Sequence, residues 1–131
     1  MPSFLGPYSL DEFPEDNLLK KINIVKITID SSSNPGTYNL GDILQAGTQI
    51  LQFFIKIRNP FENSEPSLTI GTNSEPIKFA DSSESVDFST QGIFVGMSFE
   101  TLEFASQIKC YWNPNGAING EMDVYALLSD P

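Results

Sequence analysis

Short apolar runs, each closed by Gly, Pro, Asn or Ser, succeed one another from residue 22 onward at a spacing of roughly ten residues. No other feature limits the fold of this chain so tightly. The runs cover residues 22–29, 50–57, 68–70, 77–80, 92–99, 107–112 and 122–128, and they are rich in β-branched and aromatic side chains. Beyond residue 20 no stretch repeats its apolar residues at a helical period. About eight strands with this punctuation predict an all-β fold, an antiparallel β-sandwich of jelly-roll-like form. The 131 residues suit one domain. At that length folding buries about two thirds of the extended surface, enough for a core without metals or disulfides. Ten Phe and four Tyr supply bulky filling for two facing sheets.

Within the runs, alternation assigns faces. Leu51, Phe53, Ile55 and Ile57 share one side of the longest run, with Gln52, Phe54, Lys56 and Arg58 on the other. In the last run Met122, Val124, Ala126 and Leu128 oppose Asp123, Tyr125 and Leu127. The first run slips phase at Ile24-Val25, which predicts either a β-bulge or a strand covered on both faces. Residues 37–48 read as a loop or a very short strand, with at most one helical turn over 42–46. Val86-Asp87-Phe88 resumes an extended pattern after a polar turn. Cys110 shares a parity with Ile108 and Trp112, so it reads as a buried core thiol. As the only cysteine it excludes an intrachain disulfide.

Residues 1–20 differ in character from the sandwich expected over 21–131. Pro2, Pro7 and Pro14 interrupt any regular element, while Phe4, Leu5, Tyr8, Leu10, Phe13, Leu18 and Leu19 alternate with Asp11, Glu12, Glu15 and Asp16. Ser9 with Glu12 forms a capping-box pattern for a short helix that Pro14 soon limits. Such a segment cannot bury its apolar groups alone. It either lies across its own domain or docks, as an arm, onto a partner.

Seven Lys and Arg against seventeen Asp and Glu give a net charge of −10, which argues against nucleic acid or an anionic membrane as partner. A basic protein partner remains compatible. No segment has the basic and apolar regions of a signal peptide or the length of a membrane span, so synthesis in a cytoplasm is expected. The chain contains no His, which removes Ser–His–Asp and Cys–His pairs, ordinary zinc sites and imidazole acid–base catalysis. Paired carboxylates such as Glu100/Glu103 or Asp81/Asp87 keep glycoside hydrolysis formally open, but no motif singles them out. Asp81 to Asp87 clusters oxygen ligands without the glycine or spacing of an EF-hand. Tyr111, Trp112 and Tyr125 offer either a sugar-stacking platform or core and intersubunit packing. The composition thus favours a binding or assembly part over an enzyme, with no catalytic, metal or cofactor site.

Three stretches together resemble a phage virion module. They are Gly41-Asp42-Ile43-Leu44-Gln45-Ala46-Gly47-Thr48-Gln49-Ile50, Leu68-Thr69-Ile70-Gly71-Thr72, and Pro114-Asn115-Gly116-Ala117-Ile118-Asn119-Gly120-Glu121-Met122-Asp123-Val124-Tyr125. Val86-Asp87-Phe88-Ser89-Thr90-Gln91-Gly92 links them in the same order. The order is similar to that of small β-sandwich structural proteins of tailed phages: capsid decoration (cement) proteins, head fibres and fibre knobs. The resemblance implies a non-enzymatic virion protein, commonly a homotrimer. The absence of a repetitive or coiled-coil shaft favours a decoration protein that binds and stabilises the shell. Residues 1–20, through Phe4, Leu5, Tyr8, Leu10, Phe13 and Leu18, would then dock onto the major capsid or another virion protein, and Phe54 and Tyr125 would be buried between sister subunits. The alternative is a receptor-binding knob or carbohydrate-binding module that meets a glycan through the loops at 59–67, 72–76 or 113–120.

Overall fold

The computed structural model describes residues 21–81 and 86–131. Among these are eight strands and no helix: β1 (Ile22–Asp30), β2 (Gly36–Asn39), β3 (Gln49–Asn59), β4 (Ser67–Gly71), β5 (Ala80–Asp81), β6 (Gly92–Thr101), β7 (Lys109–Asn113) and β8 (Glu121–Ser129). They form two four-stranded antiparallel sheets, ordered β1-β8-β3-β6 and β2-β7-β4-β5. The pairing has a simple logic. The chain is one long hairpin in which β1 meets β8, β2 meets β7, β3 meets β6 and β4 meets β5. Rolling that hairpin adds two further pairings, β3 with β8 and β4 with β7, and divides it into two sheets. The result is the expected jelly-roll-like sandwich.

The core lies between the sheets. Phe53, Ile55 and Ile57 of β3 and Met122, Val124 and Ala126 of β8 meet Leu68 and Ile70 of β4 and Cys110 and Trp112 of β7, all of them buried. One end is closed by aromatics: Trp112 lies 5.5 Å from Phe61 and 6.4 Å from Phe88 between ring centroids, and Phe61 meets Phe88 edge-on at 5.7 Å. Gly120 admits Phe61 to this cluster, since a Cβ there would overlap the Phe61 ring. Burial raises the Cys110 thiol to about 12, in keeping with a core thiol.

Several local expectations need correction. Of residues 77–80 only Ala80 belongs to a strand, because the Glu75 carbonyl accepts from the Thr72 and Lys78 amides and winds the preceding residues into turns. Phe79 still donates its amide to the Ile70 carbonyl and stacks on Phe53 at 5.8 Å. Residues 86–88 are no strand: the Asp87 carboxylate accepts from the Ser89 amide, the Ser89 hydroxyl and the Thr90 hydroxyl, making a side-chain turn that outcompetes extension. No helical turn forms over residues 42–46, where Leu44 instead bridges Ser106. β1 pairs with β8 in unbroken register, so the phase slip at Ile24-Val25 is no bulge. Val25 packs inward and Ile24 points outward, 65% exposed. The bulges lie in β3, where Leu51 and Arg58 are extra residues relative to β8. Ile50 therefore joins the buried set, while Leu51 is only half-buried. The expected arm over residues 1–20, with its capping pattern, lies outside the described residues.

Candidate functional site

The register of the first sheet builds its outer face row by row, from β6 across β3 and β8 to β1. The first row reads Ile93, Lys56, Asp123, Thr28; the second Val95, Phe54, Tyr125, Lys26; the third Met97, Gln52, Leu127, Ile24. Phe99 and Ile22 extend the third row's end of the sheet. Ile22, Ile24, Ile93, Val95, Met97 and Phe99 are all exposed. Large apolar side chains exposed together on one sheet face mark sites of interaction.

The face is graded along the strands. At the Ile93 end it is held by charge. Asp123, only 3% exposed, accepts from the Thr28 hydroxyl at 2.7 Å and from Arg58 Nε at 2.8 Å, and Arg58 Nη1 reaches Glu121 at 3.0 Å. Burial pushes the Asp123 carboxyl upward, but the hydrogen bonds from Thr28 and Arg58 outweigh it and leave the group below its ordinary range. At the other end Ile22, Ile24, Leu127, Met97 and Phe99 gather with no charged neighbour in their rows. Lys26 lies between the two ends, its ammonium 5.8 Å from the centre of the Tyr125 ring.

Phe99 marks a strained point. Ser98 and Phe99 together oppose Leu51, a β-bulge in β6, and Phe99 takes φ of 54° with 64% of its surface exposed. A left-handed conformation costs a residue with a Cβ about 1–2 kcal/mol, so the backbone is bent at some expense to aim this ring at solvent.

Of the residues expected to meet partners, the structure brings Phe54 and Tyr125 together as register partners on this face. Phe4, Leu5, Tyr8, Leu10, Phe13 and Leu18 lie outside the described residues. The stripe on β6 carries no sequence motif. Its signal is a weakened inner face: Ile93, Val95, Met97 and Phe99 lie outside, while Phe94 is the one bulky residue inside, among Gly92, Gly96 and Ser98. Gly96 is the register partner of Phe53, and a Cβ at Gly96 would meet nothing within 4 Å.

The other candidates are dispersed. Trp112 is buried in the aromatic cluster, Tyr111 lies in the second sheet with its hydroxyl donating to the Thr72 carbonyl, and Tyr125 lies in the first, so the three form no platform. Glu100 and Glu103 border a cleft of about 480 Å³ with Glu75 and Lys78. The hydrogen bond from Lys78 to Glu75, with the carboxylates of Glu100 and Glu103 nearby, holds the ammonium above its usual range. The middle of the Asp81–Asp87 loop lies outside the described residues. The Asp87 oxygens serve their own turn, whose hydrogen bonds from Ser89 and Thr90 lower the carboxyl's pKa. Among the described residues no three His, Cys, Asp or Glu side chains cluster as metal ligands.

No protein-family model and no curated protein sequence matches this chain. Solved structures do share its fold. A chain of the acidic stable capsid structure of Helicobacter pylori bacteriophage KHP30 superposes with a TM-score of 0.67 at 18% identity, over 86% of this chain and 94% of that one. A chain of the cyanophage Pam1 capsid asymmetric unit does so with a TM-score of 0.59 at 13% identity, over 86% of each. At these identities the likeness is one of fold. The strand-and-turn resemblance to phage structural proteins and the three-dimensional comparison thus agree: this sandwich is a fold found in phage capsid structures.

Proposed function

We propose that this protein is a structural component of a phage virion, made in the host cytoplasm, and that its place there is on the capsid as a decoration or cement protein. The observation that carries the reading is a jelly-roll-like sandwich, shared in fold with chains of two phage capsid structures, that exposes a group of large apolar side chains on one sheet face. A freely acting enzyme or carrier has no use for such a face, whereas a subunit of an assembly buries it. In this reading sister subunits, three in the arrangement that the resemblance favours, meet over Phe54 and Tyr125. Residues 1–20 engage the shell through Phe4, Leu5, Tyr8, Leu10, Phe13 and Leu18. The test is to add the purified protein to shells assembled without it. Co-sedimentation and a raised shell disruption temperature are expected, both lost when Phe13 and Leu18 are changed to Ser. Absence of binding by the unaltered protein would overturn the decoration role.

A further inference from the structure

The apolar outer face of the first sheet fits one occupant better than any other: the chain's own first twenty residues. Three observations converge on it. The first is position. The described chain begins at Lys21, whose carbonyl accepts from the Asp130 amide at the start of β1, so residues 1–20 join the sheet beside Ile22 and Ile24, at its apolar end. The second is reach. Four strands span about 14 Å from edge to edge, while twenty residues extend to about 66 Å, ample to turn over β1 and cross to β6.

The third is charge. In a chain of net −10 this face holds three of the seven basic residues, Lys26, Lys56 and Arg58. Arg58 is engaged by Asp123 and Glu121, but among the described residues neither Lys26 nor Lys56 forms an ion pair. Lys26 acts on Asp123 through space without closing an ion pair, and Lys56 forms none among the described residues, so both ammonium groups can accept further carboxylates from an apolar segment. Residues 10–19 combine Leu10, Phe13, Leu18 and Leu19 with Asp11, Glu12, Glu15 and Asp16. Their prolines keep the segment from adding as a regular strand, which suits a covering over a face rather than an extension of an edge.

We propose that in the free protein residues 1–20 lie over the outer face of the first sheet of the same chain. Leu10, Phe13, Leu18 and Leu19 cover Ile24, Leu127, Met97 and Phe99, and the four carboxylates face Lys26 and Lys56. This goes beyond the shell-binding reading and concerns the protein before it meets a shell.

A nitroxide on the full chain tests it. Ser9→Cys takes the label, because Cys110 is fully buried. In the same molecule the methyl signals of Ile24, Met97 and Leu127 should broaden, and those of Thr37 and Thr69 in the other sheet should not. Comparable broadening in mixtures of spin-labelled, isotope-free chains with isotope-labelled chains bearing no nitroxide would overturn the proposal in favour of a second copy's segment, and no broadening would overturn it outright. Lys26→Glu with Lys56→Glu should reduce the effect several-fold, and adding Glu12→Lys with Glu15→Lys should restore it. Loss without restoration would refute the charge match. Shells are absent from all these measurements, so their outcome is separable from that of the capsid-binding test.

Discussion

Phe54 on β3 and Tyr125 on β8 are direct register partners on the outer face, with Val95 beyond Phe54 and Lys26 beyond Tyr125. Two aromatic rings side by side at the middle of an open apolar sheet have the composition and position of an interface centre.

Phe54→Ala with Tyr125→Ala should therefore weaken self-association of the full chain by at least about tenfold, as loss of central aromatic anchors does elsewhere. Sedimentation equilibrium gives the measurement. Both side chains are only half-buried in the single chain, so the melting temperature at low protein concentration should change little. An unaltered association constant would remove this face from the contact.

In the Lys26→Glu, Lys56→Glu background, where residues 1–20 no longer cover the face, Phe99→Gly should stabilise the folded chain by about 1 kcal/mol, because glycine adopts the left-handed conformation without the Cβ penalty and the exposed ring contributes little burial. Urea denaturation would show a higher midpoint at an unchanged slope. The same variant should associate less well, since the strained ring serves the face and not the core. A lower midpoint would mean that the conformation carries no strain.

Asp123→Asn should cost about 2 kcal/mol, the usual scale for hydrogen bonds to a charged group. It weakens the bonds from Thr28 and Arg58 and leaves Arg58 with Glu121 alone. The pH dependence follows from the same site. The folded carboxyl titrates below its ordinary value, so its stabilisation is complete above about pH 4, where the unfolded carboxyl is also ionised. It falls away as acidification passes from there through the lower folded value. Asp30, which accepts hydrogen bonds from Ser32 and Ser33, and Asp87 shift in the same direction. Thermal melts from pH 6 down to pH 2 should show the loss in wild type, and a shallower loss in the Asn variant.

Cys110 should resist thiol reagents at pH 8 in the native protein and react at once in denaturant, since its thiol is buried and raised to about 12. Cys110→Ser, which buries a hydroxyl among Ile70, Ile108 and Trp112, should cost roughly 2 kcal/mol. Rapid native modification would contradict the packing of β7.

The two central strands of the first sheet were the most legible in sequence. Met122, Val124, Ala126 and Leu128 alternate without interruption because β8 has neighbours on both edges and one dry face, which leaves the pattern no freedom. Where turn chemistry competes with extension, local apolarity misleads. Phe88 is buried, yet it reaches the core from a turn that Asp87 organises. The outer face was half-visible. Phe54 and Tyr125 could be named from their parity, while Ile24-Val25 left a bulge and a strand covered on both faces equally open. The stripe on β6 could not be assigned, because bulky residues alternating with glycine and serine would ordinarily be placed inward. Only the register of β6 against β3 decides otherwise, and that pairing joins residues far apart in the chain.

The rolled hairpin also sets an order of events. Of these eight strands β8 leaves the ribosome last, yet it stands between β1 and β3 and joins them. Until it arrives, β1 has no partner and the first sheet is a β3–β6 pair with its inner surface open. Synthesis of most of the chain therefore precedes any complete sheet, and folding must close contacts between opposite ends of the polypeptide, the slow route for a domain of this size. Whatever shields its apolar strands during that interval matters as much to yield as the contacts of the finished sandwich.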